Sequence, residues 1–112
     1  MNTQLKIFVR SVVGLLVKRD YLEIERLGWI AQDSAVELER YINEHGATLV
    51  ELPAEDDGDI EVKRMNGERE MYNIIVDLHS EEEGRTDLSL ILNVLDEGGG
   101  TFKVTNFDVD VM

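Results

Sequence analysis

The residues with the greatest potential for chemistry are a histidine and several carboxylates in the second half of the chain. Asp77 and His79 lie two residues apart in an alternating segment, so their side chains leave the same face of a predicted strand. Further acids follow in the same segment and recur near the C-terminus: Glu81, Glu82, Glu83, Asp87, Asp108 and Asp110. Histidine with carboxylates can hold zinc, manganese or iron. One histidine among many acids is not a spaced ligand signature, however, and the sequence predicts neither a metal nor a cofactor.

Motifs of the common catalytic classes are missing from the sequence. The chain has no cysteine and two histidines, and no serine lies in a nucleophile-elbow pattern. Three glycines at 98–100 lie between predicted strands and predict a hairpin, whereas a phosphate-binding loop opens a helix. The acidic stretch 55–59 lacks the spacing of an EF-hand calcium loop. Paired carboxylates suffice for glycoside hydrolysis, but among twenty-four acids a pair carries no information. The sequence therefore predicts a protein that is not an enzyme.

Charge is distributed unevenly along the chain, whose formal net charge is −13. Residues 1–50 hold six Lys and Arg against seven Asp and Glu, whereas residues 51–112 hold five against seventeen. Such a field repels phosphate backbones, so direct binding to nucleic acid is disfavoured. It attracts a basic protein and raises the rate of association. The charge thus indicates a basic protein partner, with solubility alone as the alternative.

The first half of the chain has the periodicity of helices. Apolar residues recur at helical spacing in a first segment: Leu5, Val9, Val12 and Leu16. The pairs Asp20–Glu23 and Ser34–Glu37 have the spacing of capping boxes and predict the starts of two further helices. Gly46 predicts the end of the third helix. The apolar N-terminal stretch is too short to cross a bilayer and no small-residue cleavage site follows it, so we expect a cytoplasmic protein without a membrane segment.

The second half has the alternation of strands, most clearly over 72–79 and 88–95, with a modest strand over 60–65. In the last segment, Phe102 and Val104 share one parity and Phe107 and Val109 the other, so one extra residue near Thr105 predicts a β-bulge. The sequence predicts a single α+β domain over 1–112. About three N-terminal helices pack on one face of a C-terminal four-stranded antiparallel sheet.

Residues 77–90, D-L-H-S-E-E-E-G-R-T-D-L-S-L, carry a family resemblance. The segment resembles the signature D-L-W-T-E-E-E-G-R-S-D-L-T-L of a family of small, poorly characterised bacterial domains. Its members share an N-terminal helical part, a stretch leading to a proline and a short terminal strand, places occupied here by 41–53 and 107–112. His79 stands at the usual Trp, and residues 107–110 depart from the usual D-L-H-V ending. Small acidic bacterial domains of this kind resemble immunity proteins of contact-dependent growth inhibition, which neutralise a toxin domain, commonly a basic nuclease.

Charge and resemblance together predict an immunity-type protein that occludes a basic toxin domain, a nuclease. The partner is expected on the outer sheet face, the acidic loops and the last strand, through Asp77, His79, Glu81, Glu82, Glu83, Asp87, Asp108 and Asp110. Trp29 is predicted in the core, with an exposed anchor for a partner as the alternative. Two other functions stay open. One is a small metal-dependent or ligand-binding enzyme with a pocket between helices and curved sheet, and the other is an oligomerising adaptor domain.

Overall fold

Three helices precede five strands in a computed structural model of the chain, which describes residues 3–53, 58–65, 67 and 70–111. The elements are α1 (Thr3–Val17), α2 (Tyr21–Arg26), α3 (Ala35–Glu44), β1 (Leu49–Val50), β2 (Ile60–Met65), β3 (Met71–Ser80), β4 (Gly84–Gly98) and β5 (Thr101–Val111). The helices pack on one face of an antiparallel sheet, which confirms the predicted α+β architecture. Most of the acidic stretch 55–59 lies outside the described residues.

Helix α1 supplies one wall of the core because its apolar residues recur on one face. The buried residues of this helix are Leu5, Val9, Val12, Val13 and Leu16. Gly46 follows α3 with φ +68°, the left-handed conformation expected for the residue that ends a helix. In the described part of the chain, no helix combines the length and apolar character needed to cross a membrane.

The two predicted capping boxes are wrong, although α2 and α3 begin where they indicated. Neither Asp20 nor Ser34 makes a side-chain hydrogen bond to its own helix. Glu23 instead accepts hydrogen bonds from the Arg26 guanidinium one turn later. The first amide of α3, that of Ala35, donates to Glu25 Oε1 at 3.1 Å. A carboxylate from α2 therefore satisfies the electropositive start of α3 and ties the two helices together.

The sheet is organised around β3 and β4. Strand β3 pairs with β4 on one side, and on the other with β2 and then with the two-residue β1. Strand β5 is the outermost strand and, within the described residues, pairs with β4 alone. Alternate residues of the two central strands are fully buried under the helices, among them Ile74, Val76, Leu90 and Leu92. One long edge of the sheet is therefore the free edge of β5.

The predicted β-bulge lies in β5. Val94 pairs with Val104 and Asn93 pairs with Asn106, so Thr105 is an extra residue opposite this step. The insertion keeps Val104, Phe107 and Val109 on the buried face despite their change of parity. This confirms the bulge. It also sets the phase in which Asp108 and Asp110 stand on the exposed side of the strand.

Aromatic side chains join the helices to β5. Trp29, in the connection between α2 and α3, lies with its ring centroid 6.2 Å from Phe8 and 6.2 Å from Phe107. Phe8 in turn contacts Phe102, with ring centroids 5.3 Å apart. Trp29 is half-buried, so it packs against the core with one part of its indole and faces an open groove with another. Both interpretations of this tryptophan therefore remain compatible with its position.

Candidate functional site

Asp59 is a buried carboxylate at the base of the predicted acidic surface, 3 % exposed. Its Oδ2 lies 2.8 Å from His79 Nε2. Its Oδ1 accepts hydrogen bonds from two nitrogens of Arg85, the Nε at 2.8 Å. Arg85 Nε also lies 3.7 Å from Asp77 Oδ2, and the Asp77 amide donates to the Asp59 carbonyl at 2.8 Å. These four residues, the Asp59 cluster, fasten the segment before β2 to the β3–β4 hairpin.

The charged neighbours of Asp59 decide its protonation state. Burial raises the pKa of this carboxyl, but the hydrogen bonds and charges of Arg85 and His79 outweigh burial and hold the pKa below its ordinary value. A carboxyl whose pKa is lowered by folding contributes stability above its unfolded pKa of about 4, and loses that contribution as the pH falls through the folded value. The Asp59 cluster is therefore stabilising at neutral pH and weakened by acid.

A comparison of the wild type with Asp59→Asn over a range of pH tests this linkage. At pH 7 the variant should be less stable, because the amide lacks the negative charge that Arg85 and His79 face. The difference in free energy of unfolding should shrink as the pH falls below about 4, since only the wild type then loses its carboxylate. Urea unfolding followed by circular dichroism at several pH values measures this difference. A gap that stays constant down to the acid limit would contradict the lowered pKa.

Glu82 has a structural partner as well. Its carboxylate accepts the Thr48 amide at 2.9 Å and the Thr48 hydroxyl at 2.8 Å, and these bonds lower the pKa of Glu82. The neighbouring amide of Glu81 donates to the Thr48 carbonyl at 3.0 Å. The β3–β4 turn is thus attached to the segment between α3 and β1. Gly84, with φ +73°, closes the turn in the left-handed conformation that glycine adopts without steric cost.

The remaining predicted acids are exposed. They are Glu81, Glu83, Asp87, Asp108 and Asp110. In the described ranges, no Lys, Arg or His forms an ion pair with any of these five carboxylates. The register pairs Ser89 with Asp110 and Ile91 with Asp108, so Asp110 lies toward the hairpin end of β4 and Asp108 near its middle. We call these five carboxylates the acidic rim.

Asp110 is held in place at the edge of the sheet. Its Oδ1 accepts the Tyr41 hydroxyl at 3.2 Å and the Val111 amide at 2.8 Å. Burial and the hydrogen bond to Asp110 raise the pKa of Tyr41, which therefore remains a neutral donor at physiological pH. Because Tyr41 belongs to α3, this contact links the helical layer to the outer side of β5. It also fixes one carboxylate of the acidic rim beside an open groove.

An open groove of about 500 Å³ runs between α3 and β5. Its helical side is formed by Trp29, Ile30, Ala31, Ser34, Glu37, Leu38 and Tyr41, and its other side by residues 107–110 of β5. Aromatic and aliphatic groups alternate there with carboxylates. The charged residues that line it are three acids, Glu37, Asp108 and Asp110. Such a groove can accept an apolar side chain and neutralise a cationic one next to it.

The structure divides the eight predicted site residues into two groups. Asp77, His79 and Glu82 bind other parts of the chain, and the His79 side chain is 16 % exposed. The other five form the acidic rim. No sequence pattern singled out Asp59, which follows a run of acids and contacts residues far along the chain. The lining of the groove was not predicted, because its two walls are distant in sequence, although a pocket between helices and sheet was one of the open alternatives.

The part of the chain that the structure describes contains no group of side chains arranged to bind a metal ion. No three His, Cys, Asp or Glu side chains are arranged there to hold a metal ion. His79 Nε2 faces Asp59, whose other oxygen is occupied by Arg85. Both oxygens of the Asp59 carboxylate therefore have partners within the chain, and a bound cation would compete with Arg85 for the same carboxylate.

Comparison with known proteins identifies the family of the chain. Residues 13–112 match a domain of unknown function, DUF7668, and the chain belongs to that family. No curated protein matches the chain, and no solved structure matches it. The family description carries no activity, so the function has to be argued from the acidic rim and the groove.

Proposed function

We propose that this chain is an immunity-type protein that binds a basic toxin domain, a nuclease, and neutralises it by occluding its active site. The observation that carries the proposal is the acidic rim: five exposed carboxylates in the β3–β4 turn, the start of β4 and the end of β5 that have no ion-paired cation in the described ranges. We place this binding in the cytoplasm, with no membrane and no direct nucleic-acid contact involved.

The acidic rim suits a nuclease in particular. Nucleases bind phosphates with Lys and Arg, and those cations are the groups that an array of carboxylates can satisfy. The net charge of −13 extends this attraction beyond contact distance, which speeds the encounter with a basic protein. The Asp59 cluster and the Glu82–Thr48 bonds hold the β3–β4 hairpin rigid beneath the rim. A rigid surface loses little conformational entropy on binding.

The alternative of a small enzyme draws less support from the same geometry. Catalysis by acids and a histidine needs these groups to converge on a pocket. The lining of the groove contains Glu37, Asp108 and Asp110 but no histidine. Asp59 and His79 do converge, yet the Asp59 carboxylate is buried and already bound to Arg85. The groove therefore favours binding over catalysis.

Co-expression with the product of the adjacent gene tests the proposed function. If that gene encodes a toxic domain, production of this chain should restore growth, and the two proteins should co-purify in a complex that weakens as salt is raised. A toxic neighbour that is neither bound nor neutralised would overturn the proposal. Binding that does not respond to salt would overturn the electrostatic part of it.

Charge reversal at β5 tests the acidic rim directly. The double variant Asp108→Lys and Asp110→Lys should associate with the toxin domain about tenfold more slowly and with a weaker dependence on salt, because it removes local attraction. The control is Glu39→Lys with Glu44→Lys, two exposed positions on α3 outside the groove lining that change the net charge equally. Stopped-flow association measures both. Equal rates in the two double variants would leave net charge as the cause and discount the rim.

A further inference from the structure

Strand β5 has a free edge, and the proposed role of the acidic rim does not account for it. β5 has 11 residues and, within the described part of the chain, pairs with β4 alone. An edge strand exposes a row of backbone N–H and C=O groups on which another strand can pair. Beyond the bulge at Thr105, residues 106–110 pair with β4 in unbroken register and contain no proline, whereas the amide of the next residue, Val111, is already bonded to the Asp110 carboxylate. This stretch is therefore regular enough to act as a template.

The groove lies directly alongside that stretch, because residues 107–110 form one of its walls. The opposite wall is α3 and the connection that precedes it, with Trp29, Leu38 and Tyr41 as the large side chains. A trough between an edge strand and a helix is the geometry in which domains hold an extended peptide by strand addition. Backbone pairing supplies affinity in that mode, and pockets for alternate side chains supply selectivity.

We infer that an extended, basic segment of the partner adds to the free edge of β5 along residues 106–110. One of its apolar side chains enters the groove between Trp29, Leu38 and Tyr41. Flanking Lys or Arg side chains face Glu37 and Asp108. This inference rests on the proposed function, since the segment belongs to the basic partner, and it specifies how that partner is held.

Charge identifies the occupant as a basic segment and argues against a second copy of the chain. Pairing β5 with its own copy would bring Asp108 and Asp110 of both copies together along one edge, and like charges facing each other across strands are destabilising. A cationic segment meets the same carboxylates favourably, and its Lys or Arg side chains can also lie against the Trp29 and Tyr41 rings. The complementarity is local, because the charged residues lining the groove are Glu37, Asp108 and Asp110.

The probe for this inference is a phage-displayed library of random peptides of about eight residues, enough to span the β5 stretch at about 3.3 Å per residue. Selection on the purified chain should enrich peptides in which Lys or Arg alternates with apolar residues. Titrating an enriched synthetic peptide into ¹⁵N-labelled protein should shift the amide signals of 107–111 and α3. Two N-methylated versions of the peptide should be compared, one methylated at the odd-numbered and one at the even-numbered backbone nitrogens. Only one of them should bind about tenfold more weakly, because strand pairing uses the N–H groups along one edge of the peptide.

A matched pair of variants on α3 completes the test. Glu37→Lys, in the groove lining, should weaken the enriched peptide by about tenfold, whereas Glu44→Lys, exposed on the same helix outside that lining, should leave its affinity unchanged. Equal thermal midpoints would show that both variants fold.

The outcomes separate this inference from the proposed function. An empty selection, peptides insensitive to Glu37→Lys, or peptides insensitive to N-methylation would overturn strand addition, even if the chain still neutralises a basic toxin through the acidic rim. Conversely, peptides that meet every expectation would support strand addition even where no toxin is neutralised. In that case the proposed function would be wrong, but the inferred strand addition at β5 would be supported.

Discussion

Replacing Asp59 with alanine should lower the free energy of unfolding by about 3 kcal/mol, because it removes a buried carboxylate to which both His79 and Arg85 are bonded. His79 and Arg85 would then face each other across a cavity without the negative charge that both bind. The share that comes from Arg85 is reduced by solvent, since its side chain is 58 % exposed. Most of the loss is expected from the lost partner of His79 and from the empty space left by the carboxylate.

Urea denaturation at pH 7 measures this loss. Asp108→Ala is the matched control, since it makes the same chemical change at an exposed carboxylate of the acidic rim and should alter stability by less than about 0.5 kcal/mol. If Asp59→Ala were as stable as the control, the Asp59 cluster would have no structural role. Its residues would then be better explained as a preformed binding site.

Deleting the bulge residue of β5 should cost little stability, whereas deleting a residue after the bulge should cost much more. Removing Thr105 leaves Val104, Asn106 and Phe107 in regular alternation, so the buried face survives. We expect a cost of about 1 kcal/mol or less, since the hydrogen bond from Thr105 to the Asn93 carbonyl is lost and the bulge is exchanged for plain pairing.

Removing Asp108 reverses the phase of everything after Phe107. Val109, which is buried, would turn to solvent and Asp110 would turn inward, at a cost of about 3 kcal/mol or more. Thermal unfolding of both deletions makes the comparison, and each chain has the same length. Equal destabilisation would show that β5 tolerates shifts in phase, and the bulge would then have no role in placing the strand acids.

The fold was predictable because it follows from periodicity and parity. Alternation over 88–95 marked the inward leucines of β4, which are fully buried, and the change of parity at Thr105 located the bulge within one residue. The predicted capping partners of α2 and α3 were wrong for a physical reason. Spacing shows where a helix can begin, but whichever carboxylate lies nearest satisfies its first amides. For Ala35 that carboxylate came from the preceding helix.

Only the residue types of the site, and not their contacts, were predictable from the sequence. The sequence predicted acids in the second half of the chain as the site, and the structure leaves five of them exposed. The sequence could not distinguish these five exposed acids from Asp77 and Glu82, which are bonded within the chain. The distinction depends on partners such as Thr48, which lies 34 residues from Glu82. Asp59 and the groove depend on similarly distant contacts. Pairings of this kind leave no local pattern in a single sequence.

Asp108 and Asp110 also serve the protein when no partner is present. A regular edge strand is a risk for any chain that is stored free in a cell, because identical edges can zip together into aggregates. Alternate aspartates along the exposed side of β5 would disfavour that pairing, since it would bring like charges together. The proposed cationic segment would neutralise the same two carboxylates.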